Sequence, residues 1–91
     1  MVQFFHANDG KHKYVAVFDD GSHTAFGALG YEDFTIHKNI KRKQAYLRRH
    51  RKNENWNDPK SAGALSKWIL WNKPTIEESI QDYVKRFNMH L

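Results

Sequence analysis

Eight Lys and Arg side chains fall between Lys38 and Lys52 (Lys38, Lys41, Arg42, Lys43, Arg48, Arg49, Arg51 and Lys52), with no acidic residue among them. The chemistry open to such a segment is neutralisation of a polyanion, in which ammonium and guanidinium groups meet phosphates and displace their counterions. The other 76 residues hold seven Lys or Arg against ten Asp or Glu, so +8 is concentrated in one stretch and −3 is spread over the rest, for a formal net charge of +5. Nucleic acid is the first counterpart of so dense a patch, and anionic lipid or an acidic protein surface the second. Lys38/Arg42, Arg48/Arg51 and Arg48/Lys52 sit at helical-neighbour spacings, where like charges destabilise a helix by a few tenths of a kcal/mol. Solvated surface helices usually mix signs; this one does not, which favours a bound anion over a plain surface face. Tyr46, within the segment, and Trp56, just after it, add rings on which a base can stack, and His50 can position a phosphate.

Other chemistries fit the residues less well. The absence of cysteine excludes a disulfide scaffold and thiolate zinc sites, and His6, His12, His23, His37, His50 and His90 show no His-Glu-x-x-His spacing. No zinc-finger spacing, glycine-turn helix pair or heptad zipper accompanies the basic stretch. A small nuclease using Tyr14, Tyr31, Arg42, His50 and Glu54 is a third-ranked reading without a spacing signature. The expectation is therefore no catalytic, cofactor-binding or metal site, and a nucleic-acid-binding set made of Lys38, Lys41, Arg42, Lys43, Tyr46, Arg48, Arg49, His50, Arg51, Lys52 and Trp56.

A chain of 91 residues has room for one domain, 1–91, with a small core. The aromatic share of 14% argues for a folded unit despite a mean hydropathy of −0.85. No apolar run reaches membrane-spanning length, and no signal-peptide pattern is visible. The pattern predicts α+β: an N-terminal antiparallel hairpin or three-stranded meander over about 2–28, then three helices. Asp20-Gly21 as a two-residue turn would pair Val17 with Thr24 and Val15 with Phe26. Ile36, Ile40, Leu47 and, less cleanly, Lys43 and His50, with Tyr46 beside Leu47, mark the narrow apolar seam of a basic helix over about 38–52. Asp58-Pro59 opens an apolar helix over about 59–71, with Trp68 and Trp71 in the core and Gly63 at a close contact with another backbone. Thr75 and Glu78 form a capping box for a final helix over about 76–88.

Residues 13–87 also resemble a short protein family encoded by large nucleocytoplasmic DNA viruses of algae and amoebae. The likeness rests on Tyr14-Val15-Ala16, Asp20-Gly21, Phe26-Gly27-Ala28, Tyr31, Tyr46 and Arg49-His50. It rests above all on Glu54-Asn55-Trp56-Asn57-Asp58-Pro59, Ala62-Gly63-Ala64-Leu65-Ser66, Leu70-Trp71-Asn72-Lys73-Pro74 and Tyr83 to Phe87. The resemblance implies a viral origin and supplies no mechanism. With the charge pattern, it leads to the expectation of a non-enzymatic, largely sequence-independent nucleic-acid-binding viral protein, DNA favoured over RNA. Its place would be host cytoplasm or nucleus, or the virion. The alternative is a structural or interaction module binding an acidic viral or host protein.

Overall fold

The computed structural model describes residues 1–91. Three antiparallel strands, β1 (Val2–His6), β2 (His12–Phe18) and β3 (His23–Ala28), form one sheet in the order β1-β2-β3. Helices follow: α1 (Phe34–His37), α2 (Ile40–His50), α3 (Ala62–Leu65), which continues as a π-helical segment (Ser66–Leu70), and α4 (Ile76–Arg86). The architecture is α+β. No helix is long and apolar enough to cross a membrane.

The β2–β3 register differs from the expected one by a single residue. Val17 faces His23, Ala16 faces Thr24, Val15 faces Ala25 and Tyr14 faces Phe26. The Phe18 N–H donates to the Ser22 carbonyl and the Gly21 N–H to the Phe18 carbonyl, so the loop is Asp19-Asp20-Gly21. Gly21 takes the left-handed conformation (φ 86°). This is the three-residue hairpin loop whose third residue is left-handed, and a one-residue slip exchanges the faces of a strand. The core face therefore carries Val2, Phe4, Tyr14, Ala16, Phe18 and Phe26, while Val15 and Val17 lie on the opposite face.

Leu65, Ile69, Leu70 and Tyr83 complete the buried cluster against that face. Trp68 and Trp71 are only half-buried and pack at its margin. Trp68 donates through Nε1 to the Trp56 carbonyl (3.0 Å) and lies under the Arg86 guanidinium (3.8 Å to the ring centroid). The expected helix start at Asp58-Pro59 moves to Ala62. Asp58 accepts instead from the Lys60 N–H, the N-cap is Ser61, which accepts from the Ala64 N–H, and the Pro59 carbonyl accepts the buried Tyr83 hydroxyl (2.7 Å). The close contact at Gly63 is with a side chain, not a backbone. A Cβ there would meet Glu54 Cδ and Oε2 at 2.9 Å and its Cβ at 3.0 Å.

α1 and α2 are separate helices because Lys38 adopts a left-handed conformation (φ 55°) between them. Asp33 caps α1 by accepting from the Thr35 N–H, and Asn39 caps α2 by accepting from the Arg42 N–H. The break resets the helical phase, so Ile36 and Ile40 do not form one docked seam; each is 54% exposed. The rest of the expected seam, Lys43, Leu47 and His50, does face inward, together with Tyr46, all half-buried.

Candidate nucleic-acid interface

α2 is held by one ring stack and a few polar contacts. Tyr46 lies flat on Trp71, with centroids 4.2 Å apart and planes 4° from parallel, and His50 stacks on its other face at 4.1 Å. Burial, with the Glu54 carboxylate nearby, pushes the Tyr46 hydroxyl up to about 12. Lys43 donates to the Asn72 carbonyl (2.7 Å) and lies over the Phe34 ring. Burial, and then the Lys73 ammonium, lower its pKa. Both residues are half-buried and engaged in packing, unlike the outward cations of the segment. His50 Nδ1 is 3.0 Å from Glu54 Oε1, and the other Glu54 oxygen accepts from Trp56 Nε1 at 3.0 Å. The Trp56 ring also carries the Lys67 ammonium at 3.9 Å from its centroid. Trp56 is thus a fixed, half-buried ring beside α2 and not part of a free loop.

The remaining members of the predicted set point outward. Lys38, Lys41, Arg42, Arg48, Arg49, Arg51 and Lys52 are all exposed. Of these, only Arg42 has an acidic partner, Glu32, at 3.1 Å. At 100° per residue, Lys41 and Arg48 fall along the outermost line of α2 with Arg42 and Arg49 on one flank, while Arg51 caps its end on the other and Lys52 follows in the turn after it. Each flank borders a hollow. Arg48, Arg51, Trp56 and Lys67 line one of 510 Å³. The opposite hollow, of 420 Å³, lies between α2 and the segment leading from β3 to α1.

Tyr31, Arg42 and His50, three members of the nuclease constellation, line this second hollow, and Glu54 holds His50 from behind. Tyr14 lies apart, against Phe26 at the apolar core. Nowhere do three His, Asp or Glu side chains converge in a manner that would hold a metal ion. Sequence reasoning did not single out Arg49 as a member of this cleft, nor Lys13, which reaches its wall from β2. Lys13 pairs with Asp33 at 2.6 Å, both side chains nearly buried, and so pins the loop that forms the cleft's far side.

Comparison with curated proteins and with solved structures yields no match for the chain. The stretch from residue 2 to residue 50, which runs from the first strand to the last residue of the basic helix, matches the Family of unknown function (DUF5754), and the chain belongs to that family.

Proposed function

We propose that this protein is a non-enzymatic, largely sequence-independent nucleic-acid-binding protein, with α2 and its flanking residues as the contact surface. One observation carries the reading: Lys38, Lys41, Arg48, Arg49, Arg51 and Lys52 are exposed, and none has a carboxylate within ion-pair distance. Elsewhere in the chain acidic residues do find cations, as at Lys60–Asp20 and Arg86–Asp82. A row of uncompensated cations costs self-repulsion that a phosphate backbone relieves. The resemblance to proteins of large DNA viruses makes a viral genome, in infected cell or virion, the polyanion of this reading, with DNA preferred.

Titration of duplex and single-stranded DNA and RNA at several salt concentrations tests it. With about four to six phosphates engaged, log K falls linearly with log salt at a slope of about −4 to −5 and varies little between unrelated sequences. No binding at low salt would reject the reading. A second reading, a basic surface for an acidic protein, draws on the exposed Ile36 and Ile40 beside Lys38 and Lys41, since apolar side chains add nothing to phosphate contacts. A protein partner that resists competition by excess DNA would select that reading.

A further inference from the structure

The cleft on the Arg42/Arg49 flank of α2 differs from the outer face of the helix in being concave and chemically mixed. Its 420 Å³ falls within the range of about 300–1,000 Å³ typical of small-molecule sites. Most of its charges already satisfy one another: Arg42 with Glu32 across the mouth, Lys13 with Asp33 at the wall, and Glu54 with His50 from behind. The Ser66 and Tyr46 hydroxyls lie deeper in its wall. Among its basic groups, two are left with a free donor or acceptor. The Arg49 guanidinium has no hydrogen-bond or ion-pair partner, and because Glu54 occupies His50 Nδ1, Nε2 is the nitrogen free for a ligand. A planar guanidinium beside an imidazole is a recognition pair for a phosphate oxyanion. At the rim, Tyr31 is 73% exposed and offers a π-face of the kind on which unpaired bases stack.

We infer that this cleft binds a single nucleotide, its phosphate held by Arg49 and His50 and its base against Tyr31. The inference rests on the nucleic-acid reading for the source of that nucleotide, a strand end or an unpaired residue turned inward from a strand lying along Lys41 and Arg48. The cleft lies on the Arg42/Arg49 flank of α2, next to that outer row on the helix surface. The protein then grips nucleic acid in two ways, by charge along α2 and by shape at one unpaired position. Single strands and 5′-phosphorylated ends therefore bind more tightly than an uninterrupted duplex of equal charge.

The test is an NMR titration of the isotopically labelled full chain with deoxyadenosine 5′-monophosphate, deoxyadenosine and inorganic phosphate, alongside polymer binding. The expected result is saturable shifts for the monophosphate confined to the cleft, centred on Tyr31, Arg49, His50 and Trp71, with weaker binding of phosphate and of the nucleoside. Arg49→Gln should weaken monophosphate binding at least tenfold, His50→Gln similarly, and Tyr31→Ala should reduce the preference over inorganic phosphate. Lys85→Gln, a charge-matched change on α4, should leave it unaltered. Arg49 makes no intramolecular hydrogen bond, so its replacement tests the ligand and not the fold. Polymer binding without a saturable monophosphate response would overturn the inference and leave the proposed function standing. Equal affinity for phosphate and nucleotide would overturn the nucleotide assignment. Monophosphate binding in the cleft with no polymer affinity would instead overturn the proposed function together with the strand as the nucleotide's source.

Discussion

Gly63 and Glu54 show how single positions build the surface around α2. A methyl group at residue 63 would press on Glu54 Cβ, Cδ and Oε2, all within 3.0 Å, and Glu54 cannot swing aside without losing His50 and Trp56. Alanine is otherwise the better helix former by about 1 kcal/mol, so steric pressure and propensity oppose one another. Overpacking against an anchored group costs typically 1–3 kcal/mol, and Gly63→Ala is expected to destabilise. Adding Glu54→Ala should recover part of that loss, giving a non-additive cycle in thermal unfolding. Tyr46 makes a second residue-level prediction. Its hydroxyl is raised to about 12 by burial and then by Glu54, so the fold favours the neutral phenol over the phenolate. The stability this contributes is fully present below the ordinary tyrosine value of about 10 and is lost as pH rises from there through about 12. Burial likewise raises Tyr83 and Tyr14, so melting temperature should fall steeply above pH 10. Tyr46→Phe should make the fall shallower, and an unchanged profile in that variant would reject the assignment.

Among the elements, α4 is the one whose start is written most locally. Thr75 Oγ1 accepts from the Glu78 N–H at 3.2 Å and donates to Glu78 Oε1 at 2.9 Å, while Glu77 and Glu78 in the first turn and Lys85 and Arg86 in the last complement the helix dipole. Thr75→Ala is expected to cost about 0.5–2 kcal/mol in thermal unfolding, with nucleic-acid affinity unchanged well below the melting temperature. The same locality explains what could be read from the chain. Capping residues, alternating apolar runs and a charge run lie within a few positions of the structure they create, so strands, final helix and basic segment were all visible. The hairpin register was not, because Asp19-Asp20-Gly21 supports either a two- or a three-residue loop, and the choice depends on which face meets Leu65, Ile69 and Leu70. The start of the α2 seam, at Ile36 and Ile40, was not legible for a related reason, whereas Lys43, Leu47 and His50 do face inward. Nothing near Lys38 announces its left-handed turn, and the central inward contact, Tyr46 on Trp71, depends on a ring far along the chain. The cleft is less legible still, since Lys13, Tyr31 and Arg49 come together only through the tertiary fold.

On the scale of the whole molecule, charge is separated. α2 and its flanks carry +8 against −3 elsewhere, and the outward cations Lys41, Arg42, Arg48 and Arg49 ride on a helix about 16 Å long, at 1.5 Å per residue over Ile40–His50, with Lys38 before it and Arg51 and Lys52 directly after. That length limits the number of phosphates met at once and is why the expected salt slope is moderate. Arg48, Arg49 and Arg51 lie near the C-terminal end of this helix, where their charge also suits the helix dipole, and none is engaged in an intramolecular ion pair. Changing all three to Gln keeps good helix propensity and removes three charges while leaving the Tyr46–Trp71 stack in place. If each meets a phosphate, the slope of log K against log salt flattens by up to about 3, and affinity falls by similar factors on unrelated sequences. Circular dichroism establishes that the variant is folded before its binding is compared. A folded triple variant with wild-type affinity and slope would place the phosphate contacts elsewhere on the molecule, and a cation beyond the segment with no acidic partner is Lys67, over the Trp56 ring in the hollow that both share with Arg51.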